Sequence, residues 1–424
     1  MINVLVFPCG SEIGLEIHAA LKFCKDVRLF GAASVSDHGE YVYARYAQID
    51  AHVNGAGLAG ELNRLSDHWR IDIILPAHDS VMLRLAELRD QLIAKVATPK
   101  LAIAQICRNK NLTYDAFDAS FIPSRVVGFA QHYPIFAKPA VGQGSNGVER
   151  IDAPTRHAEL IASGIEYVFA EYLPGRECTV DCLSDRQGKL LHLAPRERIR
   201  VKAGISVRTR PVPVDDEIRG IAEAIAARLS IRGAWFFQIK VDVEGRHKLL
   251  EIAPRISGSM GLSRCMGVNF SLLTLYAYLD RDFAVLEQQY PIEMDRALQS
   301  RFKLGIEYHR VYLDLDDTLI VNGRVNTVIV TLLYQWAAAS IPVVLVTRHN
   351  REPRATLEAF RLHSGLFSEV VHIRDESCKS AVIDPFVPSI FIDDAYRERL
   401  DVARTHGIPV FDVDAAEQLL EWHS

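Results

Sequence analysis

Short apolar runs alternate with amphipathic helical patterns along the first hundred residues. NVLVF at 3–7 leads through a loop with Gly10 and Gly14 to the amphipathic EIHAALKF, and DIILP at 72–76 leads to a helical pattern over 78–95. Strands that alternate with helices are typical of a parallel α/β layer. The pattern therefore predicts an α/β domain over residues 1–98.

The pattern changes at about residue 99, where antiparallel strands and longer loops are expected. The expected elements are a hairpin over 133–151, two strands with a hinge over 167–183, an amphipathic helix over 214–231 and a hairpin over 236–255. The helix is indicated by its acidic start and by apolar residues at helical spacing. Together these elements predict a domain of antiparallel sheets with helices over residues 99–304.

The last part of the chain returns to a clean alternation of strands and helices. Strands are expected at 311–315, 343–346, 370–373, 389–392 and 409–413, and helices at 326–339, 353–364, 395–406 and 415–421. This alternation predicts a parallel, Rossmann-like sheet over residues 305–424. The chain as a whole is expected to be a multidomain protein of the α/β and α+β classes.

Polar side chains stand at or near the ends of four apolar runs in this last domain. They are Asp314 and Asp316 after the first run, Thr347 after the second, Lys379 beyond the third, and Asp393 after the fourth. Side chains two apart on a strand share a face, so Asp314 and Asp316 are expected to point into one pocket. A strand that runs into a solvated loop is the simpler interpretation of any one motif. Four in order favour a common site, because the carboxyl ends of parallel strands form one crevice.

These four motifs, over residues 311–424, resemble those of the haloacid-dehalogenase (HAD) phosphohydrolase superfamily. The resemblance implies that Asp314 attacks phosphorus to give an aspartyl phosphate. It implies that Asp316 protonates the leaving group and then activates water. Thr347 and Lys379 would hold the phosphoryl oxygens of a phosphorylated small molecule. The short stretch between Asp314 and Thr347 leaves no room for a large cap.

The HAD resemblance also implies a magnesium site. Asp393, the Asp314 carboxylate and the backbone carbonyl of Asp316 would supply the oxygen ligands that Mg²⁺ prefers. Asp394 is expected to act from outside this set of ligands.

A glycine-rich loop and a nearby lysine indicate an anion site in the middle domain. The loop GQGSNG at 142–147 offers bare backbone N–H groups. It is not a P-loop, because no Lys-Ser/Thr follows it, and a mobile hairpin turn is the simpler interpretation of the loop alone. Lys138, inside the apolar run IFAKP, favours an anionic partner, because lysine is almost never fully buried without one.

Two further segments fit a nucleotide site. The hinge at Pro174-Gly175 can offer backbone groups to a planar base, and Glu177 beyond it can reach ribose hydroxyls. Gln238 and Glu251 stand on the two arms of one predicted hairpin, where they can share a magnesium ion.

Over about residues 1–300 these segments resemble the ATP-grasp superfamily, preceded by its usual α/β lead-in (pre-ATP-grasp) domain. The nearest likenesses are the D-alanine–D-alanine ligases and the halves of the carbamoyl-phosphate synthetase large subunit. The matching positions are, in order, Lys110, Lys138, the glycine loop, Glu171, Leu173, Glu177, Gln238, Glu251 and Arg255.

The ATP-grasp resemblance implies how the chain would hold ATP. Lys110 and Lys138 would grip the α- and β-phosphates. Gly144, Ser145 and Asn146 of the loop would cover the γ-phosphate.

On the other side of the nucleotide, Leu173 would offer its backbone to the adenine. Glu171 would add a hinge contact, and Glu177 would take the ribose.

The resemblance assigns Mg²⁺ to Gln238 and Glu251, and it implies that Arg255 steadies the transferred phosphoryl group. The family usually has a metal-binding asparagine two residues after the second acid, where this chain has Ala253. One ligand of a second magnesium is therefore missing, unless Asp242 or a water replaces it.

The segment 195–211 is rich in arginine. A solvated charged hairpin is one interpretation. The other is a cradle for the carboxylate or phosphate of the acceptor, with Arg198 and Arg200 on one strand face.

Composition and charge exclude several classes of protein. The net charge of −5 gives no electrostatic footprint for nucleic acid, and no apolar run reaches the ~20 residues of a membrane helix. The N-terminal segment lacks the basic start and cleavage site of a signal peptide. The seven cysteines lack paired metal-binding spacing, as expected for reduced thiols. We expect a soluble, cytoplasmic protein with neither a nucleic-acid nor a membrane partner.

The two resemblances together imply a bifunctional enzyme. The ATP-grasp part would activate a carboxylate as an acyl phosphate for attack by an amine or similar nucleophile, and the HAD part would act as a phosphatase. Two alternatives stay open: an ATP-grasp kinase or phosphotransferase paired with the phosphatase, and an ATP-binding regulatory module that controls it. ATP-grasp relatives are often dimers, so a homodimer is a further expectation.

Overall fold

The computed structural model describes residues 1–117, 120–142, 144 and 146–421. The chain forms two compact units, one of Met1–Leu298 and one that begins at Gln299. The first unit contains both the lead-in region and the antiparallel region predicted from the sequence.

The N-terminal part of the first unit is a parallel α/β layer, as predicted. Its elements are β1 (Ile2–Phe7), α1 (Glu12–Leu21), β2 (Val27–Ala33), β3 (Tyr46–Gln48), α2 (Leu58–Trp69), β4 (Ile73–Pro76), α3 (Asp79–Glu87) and β5 (Lys95–Val96). The strands are parallel in the order β3-β2-β1-β4-β5. The central strand β1 is buried on both faces, because Leu5 packs in one apolar cluster and Val4 and Val6 in another.

The helix predicted over 78–95 ends early. It stops at Glu87, a short 3-10 turn follows at Arg89–Gln91, and β5 begins at Lys95. The Arg89 guanidinium, in the 3-10 turn, donates hydrogen bonds to the backbone carbonyls of Thr98 and Pro99.

Two helices and a small sheet follow. They are α4 (Leu101–Arg108), α5 (Lys110–Asp115), β6 (Ile135–Pro139), β7 (Glu149–Ile151), α6 (Pro154–Ala162) and β8 (Tyr167–Glu171). The antiparallel sheet has the order β7-β6-β8, so the predicted hairpin around the glycine loop is confirmed. The helices α4 and α5 were not expected from the sequence.

A six-stranded antiparallel sheet completes the first unit. Its elements are β9 (Glu177–Ser184), β10 (Leu190–Lys202), β11 (Ile205–Pro211), α7 (Asp216–Leu229), β12 (Gly233–Val241), β13 (His247–Ala253), α8 (Gly261–Cys265), α9 (Phe270–Tyr278) and β14 (Met294–Asp295). The strand order is β13-β12-β9-β10-β11-β14. Asp215 caps α7 by accepting a hydrogen bond from the N–H of Ile218, so the predicted amphipathic helix is confirmed.

Alternation along the central strands separates the two faces of this sheet. Cys178, Val180 and Cys182 of β9 join the apolar cluster that α7 covers, as do Trp235 and Phe237 of β12. The side chains in between therefore point to the opposite face, where they are free to line a cleft.

The second unit is a parallel sheet with helices, as predicted. Its elements are β15 (Arg310–Leu313), β16 (Ile320–Val321), β17 (Arg324–Val325), α10 (Thr327–Ala338), β18 (Val343–Thr347), α11 (Pro353–Ala359), β19 (Glu369–His372), β20 (Ser389–Ile392), α12 (Tyr396–His406) and β21 (Val410–Phe411). The order is β19-β18-β15-β20-β21. Only the hairpin β16–β17 lies between β15 and α10, in place of a large cap.

Several predicted boundaries of the second unit differ from the structure. The helix α11 ends at Ala359 rather than 364, and Arg361 beyond it has a positive φ of 57°. The segment predicted as a helix at 415–421 is a 3-10 helix, Val413–Leu419. The strand β15 ends at Leu313, before the first of the predicted carboxylates.

None of the helices in the described part of the chain combines the length and the apolar character that a membrane span requires. All seven cysteines are free thiols.

Candidate active sites

The inner face of the six-stranded sheet forms one wall of a cleft in the first unit. Gln238 of β12 lies directly opposite Glu251 of β13 on one side and Thr179 of β9 on the other. Thr179 in turn lies opposite Arg196 of β10. The strand pairing therefore sets four polar side chains in one row across four neighbouring strands. With a strand spacing of about 4.8 Å, the row spans about 14 Å between its end strands.

A cavity of about 170 Å³ lies over one part of this face. Its apolar side chains are Pro123, Phe136, Pro139, Val148, Ala170, Leu173 and Leu250, and its charged ones are Lys110, Lys138, Glu171, Glu177, Arg198, Lys240 and Glu251. An apolar slot beside convergent charges can hold a planar base with an anionic tail attached.

Lys110 and Lys138 reach this cavity from two different elements. Asn109 caps α5 and so places Lys110 in its first turn, where the Lys110 N–H donates to the Ala140 carbonyl at the end of β6. Lys138 lies on β6 itself.

Burial disfavours the protonated, charged form of both lysine side chains. It lowers the pKa of Lys110, and it lowers the pKa of Lys138 to about 8. Glu251 opposes this shift at both lysines, and Lys110 adds to it at Lys138. Two ammonium groups crowded into one partly apolar cavity favour a polyanionic ligand.

The glycine loop lines the same cavity through Gly144 and Asn146, whereas Ser145 lies outside the described residues. Gly144 has a positive φ of 62°, a conformation that favours glycine. A side chain at Gly204, in the turn between β10 and β11, would collide with the backbone of Gly144. The turn and the loop therefore meet over the cleft.

Two residues predicted to contact a nucleotide flank the hinge, with Leu173 before it and Glu177 after it. Leu173 and Glu177 both line the cavity, and the Nε of Arg198 lies 3.2 Å from the Glu177 Oε1. Glu171 also lines it, but its carboxylate accepts a hydrogen bond of 2.7 Å from the N–H of Ser124. That bond anchors the segment before β6 to β8.

Asp242, which was predicted as an alternative metal ligand, forms its hydrogen bonds outside the cleft. Asp242 sits in the turn of the β12–β13 hairpin, where it accepts hydrogen bonds from the N–H groups of Glu244 and Arg246. It is not among the side chains that line the cleft, because the turn lies at the far end of the hairpin. Asp242 therefore does not stand in for the asparagine that is replaced by Ala253.

A second cavity, of about 310 Å³, continues from the first and shares Lys110, Gly144, Gln238 and Glu251 with it. Arg255 lines this second cavity and binds Asp79 through two hydrogen bonds of 2.6 and 2.7 Å.

Asp79 opens α3, directly after β4, and sequence reasoning missed it. Burial by itself would raise the pKa of Asp79, but Arg255 holds that pKa below its ordinary value, so the pair is ionic. A signal was present, because Asp79 follows a buried strand of a parallel sheet at its carboxyl end.

The arginines predicted to share one face do not form a common site. A bulge interrupts the pairing of β10 between Arg198 and Arg200. Arg198 is buried in the cleft, whereas Arg200 is 56% exposed and pairs with Asp295. A bulge shifts the alternation by one residue, which the sequence pattern does not reveal.

In the second unit, strand ends bring the predicted residues together. The Lys379 Nζ lies 2.6 Å from the Asp314 Oδ1 after β15 and 2.6 Å from the Asp393 Oδ2 after β20. Thr347, the last residue of β18, is fully buried, and its hydroxyl accepts a hydrogen bond from the N–H of His349. The convergence expected of a parallel sheet is therefore observed for Asp314, Lys379 and Asp393.

Asp314 and Asp316 do not share a strand face, because β15 ends at Leu313. Asp314 is buried and Asp316 is exposed. The Asp316 carboxylate lies 2.9 Å from the Nδ1 of His349, whose Nε2 lies 2.7 Å from the Thr356 hydroxyl. His349 was missed, although it stands just beyond Thr347 at the end of a buried strand.

The acidic residues of this cluster fit a hard cation. One carboxylate oxygen each from Asp314, Asp393 and Asp394 lie within 4.8 Å of one another, and oxygen is the ligand type that Mg²⁺ prefers. The Thr318 hydroxyl accepts a hydrogen bond of 3.1 Å from the N–H of Asp394 and so fixes that segment. Burial raises the pKa of Asp314 to about 7 against the opposing effect of Lys379, and Asp393 adds to the rise.

Comparison with known protein families bears on the first unit. Residues 165–300 match the family described as "ATP-grasp in the biosynthetic pathway with Ter operon". The matched segment includes β9–β14 and thus Glu177, Gln238, Glu251 and Arg255. It ends at residue 300, so this match does not test the phosphohydrolase resemblance of the second unit.

Comparison with curated proteins found pyruvate carboxylase from Komagataella pastoris, which is 30% identical over 141 residues. The match covers 29% of this chain but only 12% of that protein. The match therefore relates part of this chain to a small part of the carboxylase.

Solved structures share the fold at low identity. The ADP complex of N5-carboxyaminoimidazole synthetase from Staphylococcus aureus matches with a TM-score of 0.58 and 14% identity, over 70% of this chain and 82% of that one. L-amino acid ligase from Bacillus licheniformis matches with a TM-score of 0.54 and 18% identity, over 66% and 74%. The biotin carboxylase domain of 2-oxoglutarate carboxylase from Hydrogenobacter thermophilus, with MgADP and bicarbonate, matches with 0.54 and 15%, over 68% and 71%.

The family match covers residues 165–300, and the solved structures show a shared fold over 66–70% of this chain. Structural relatives bind ADP, and one of them binds it as the magnesium salt.

Proposed function

We propose that the first unit is an ATP-dependent ligase that activates a carboxylate as an acyl phosphate, which an amine or similar nucleophile then attacks. The observation that carries this proposal is the joint cleft. Lys110 and Lys138 face Glu251 and Gln238 in a cavity with an apolar slot, and a second cavity lined by Arg255 opens beside it.

Different residues of the cleft bind different parts of ATP. The apolar slot around Leu173 takes the adenine, Glu177 takes the ribose, and the two lysines bind the phosphates through charge-assisted hydrogen bonds. Gln238 and Glu251, which face each other across one strand pair, would hold Mg²⁺. When bound, the ion would neutralise part of the phosphate charge.

The second cavity is the place for the carboxylate. Asp79 holds the Arg255 guanidinium in a fixed orientation, so that its charge is available without reorganisation when the phosphoryl group moves. A carboxylate oxygen attacks the γ-phosphorus, and ADP leaves. The nucleophile then displaces phosphate from the acyl phosphate and loses a proton. The name of the Bacillus licheniformis relative, an L-amino acid ligase, agrees with an amine as the nucleophile.

We propose that the second unit is a phosphohydrolase of the HAD type. Asp314 attacks the phosphorus of a phosphoester, and the leaving oxygen takes a proton from Asp316. Water then attacks the aspartyl phosphate and gives its proton to Asp316. This hydrolysis releases inorganic phosphate and restores Asp314. His349 holds the Asp316 carboxylate in place between these steps, and Lys379 and Thr347 bind the phosphoryl oxygens.

Trapping with hydroxylamine tests the ligase proposal directly, because an acyl phosphate reacts with it to give a hydroxamate. The protein is incubated with Mg-ATP, hydroxylamine and a library of carboxylic acids, and ADP and hydroxamate are measured together. We expect both to appear with at least one acid, and both to vanish in Glu251→Gln. Glu244→Gln, at the exposed turn of the same hairpin, is the matched control. A phosphorylated small molecule without hydroxamate would identify a kinase instead.

One observation favours a second candidate, an ATP-binding module that regulates the phosphatase. Ala253 stands where the ATP-grasp resemblance implies a metal-binding asparagine, and Asp242 does not replace it. This candidate predicts tight ATP binding without ADP release for every acid in the library. It also predicts that ATP changes the rate of phosphoester hydrolysis.

A further inference from the structure

A buried arginine lies at the end of the second cavity that is away from the adenine slot. Among the described residues, not all of its hydrogen-bond donors have a partner. Arg196 is only 2% exposed, and it donates from Nε to the Asp181 Oδ2 at 2.7 Å and from Nη2 to the Asp181 Oδ1 and the Ser257 Oγ at 3.1 Å each. Its Nη1 has no hydrogen-bond partner among the described residues. A buried donor without a partner is costly, and native structures rarely keep one without a reason.

A second buried polar group beside the same cavity also has no hydrogen-bond partner among the described residues. The hydroxyl of Ser206, on β11, is buried and has no partner in the described part of the chain. Both Arg196 and Ser206 line the second cavity. A structural ion pair between Arg196 and Asp181 accounts for the Nε and Nη2 groups, but it leaves the Nη1 and this hydroxyl unexplained.

Arg296 brings a further positive charge to this end of the cavity. Its contacts are long: its Nη1 lies 3.4 Å from the Ser259 Oγ, and its Nη2 lies 3.4 Å from the carboxylate of Glu12. The side chain is 24% exposed and lines the cavity, so it can exchange these weak contacts for a ligand.

The charge balance of the whole cavity agrees with an anionic ligand. Its basic side chains are Arg108, Lys110, Arg196, Arg198, Arg255 and Arg296, and its acidic ones are Glu12, Asp79 and Glu251. Asp181 neutralises Arg196 but also fixes the plane of its guanidinium, which leaves the Nη1 edge as a directed donor. Guanidinium and hydroxyl donors together suit an oxyanion.

This end of the cavity is distinct from the position of Arg255. Arg196 lies on β10, three strands away from Glu251 in the same row, whereas Arg255 follows β13 directly and is held by Asp79. Asp79 on α3 thus holds the Arg255 guanidinium, whereas Asp181 on β9 holds that of Arg196, so different carboxylates fix the two groups.

We propose that Arg196, Ser206 and Arg296 form an oxyanion subsite, which binds a second anionic group of the substrate, a carboxylate or a phosphate, in addition to the carboxylate that is activated. The substrate class is thus a dicarboxylic or a phosphorylated acid. This inference rests on the proposed ligase function of the cleft.

Calorimetric titration of the full-length protein tests the subsite. The nucleotide cavity is first saturated with magnesium and adenylyl imidodiphosphate, so that phosphate ions do not bind there. Inorganic phosphate and succinate are then titrated in separate experiments. We expect at least one of them to bind with a millimolar Kd, and the stronger one indicates whether the natural group is a phosphate or a carboxylate.

Three variants locate that binding. Arg296→Gln should weaken it at least tenfold, and Ser206→Ala should weaken it about threefold, with nucleotide binding unchanged in both. Arg196→Lys retains the charge opposite Asp181 but loses the Nη1 donor, so it should also weaken binding about tenfold. If this buried variant does not fold, the other two decide. Arg200→Gln is the matched control, because Arg200 lies on the same strand but pairs outside the cleft with Asp295.

Two results would overturn the subsite. One is that neither anion binds to the wild type while the nucleotide analogue does, which leaves the ligase proposal intact. The other is that Arg200→Gln weakens anion binding as much as Arg296→Gln does. Failure of the nucleotide analogue itself to bind would instead overturn the ligase proposal and, with it, the role of the subsite.

Discussion

The two candidate sites differ in the charge of their side chains, which are lysines in one and aspartates in the other. This difference determines which ligand each site can bind. The cleft of the first unit brings Lys110 and Lys138 together and lowers the pKa of both by burial. The second unit collects Asp314, Asp393 and Asp394, with burial raising the pKa of Asp314 to about 7. The first arrangement favours binding of a polyanion and the second favours binding of a cation.

The sites also differ in how the backbone brings their residues together. In the second unit the ends of neighbouring parallel strands bring side chains within hydrogen-bond distance, and Lys379 bridges two carboxylates at 2.6 Å. In the cleft the residues lie across the face of an antiparallel sheet, in a row that runs from Glu251 to Arg196. A parallel sheet thus concentrates a few groups at one point, whereas the antiparallel face spreads them along an extended ligand.

The largest expected effect separates the two sites completely. Asp314→Asn should reduce phosphoester hydrolysis by about 10³-fold or more, because an amide oxygen is a poor nucleophile. Hydroxamate formation from Mg-ATP and acid should stay unchanged. Release of inorganic phosphate from a phosphoester library measures the first activity, and Asp384→Asn, outside the cluster but in the same unit, is the control. Equal hydrolysis by wild type and Asp314→Asn would exclude Asp314 as the nucleophile.

The reciprocal change addresses the cleft. Lys138→Met removes a charge-assisted contact to the phosphates, which is worth about 1.5–3 kcal/mol. We therefore expect the Kd for ATP to rise by roughly 10- to 150-fold, with phosphoester hydrolysis unaffected. Titration with a fluorescent ATP analogue measures the affinity, and Lys189→Met, on the exposed surface of the first unit, provides the comparison. An unchanged Kd would mean that Lys138 does not contact the nucleotide.

The pKa of Lys138, about 8 in the free protein, predicts how nucleotide affinity depends on pH. Only the charged ammonium binds phosphate well, and bound phosphate would raise its pKa, so binding above pH 8 requires the uptake of a proton. Affinity should therefore be constant below pH 8 and fall above it, by at most about tenfold for each pH unit. Calorimetry between pH 7 and 9.5 tests this, and Lys138→Met should remove that decline. A flat wild-type profile over this range would contradict the assignment.

The smallest expected effect concerns the residue that holds Asp316. His349→Ala should lower the kcat of phosphoester hydrolysis by about tenfold, because the carboxylate loses its fixed position for proton transfer. The KM should change little, since the proposed role of Asp316 is in the chemical step rather than in binding. Steady-state kinetics of the phosphatase measure both, with the exposed His363→Ala as control. A rise in KM with an unchanged kcat would assign His349 to substrate binding instead.

The sequence indicated most elements of the second unit because its helices and strands alternate with clear periodicities. All five predicted strands there differ from the observed ones by no more than two residues at either end. The end of β15 was nevertheless misjudged, and that error concealed the different environments of Asp314 and Asp316. Hydrophobic alternation continues past Leu313 through Leu315, so the pattern does not reveal where the pairing stops.

The sequence does not indicate which residues form hydrogen bonds with the candidate site residues. Arg255 and Asp79 are separated by 176 residues, and His349 and Asp316 by 33. No local periodicity connects such positions, because each pairing depends on which strands become neighbours in a sheet.

The amino-acid sequence by itself determined the order of strands and helices, the polar positions at strand ends, and the lysines and acids of the cleft, since these follow from short-range patterns of polarity. Only the tertiary structure decided that a bulge turns Arg200 away from the cleft and that Asp242 forms the hydrogen bonds of a turn. It also decided that one donor of Arg196, in the cavity wall, has no partner among the described residues. The physical reason is that pairing register and burial arise from contacts between distant segments, and a hydrogen-bonding group gains or loses its partner only when those contacts form.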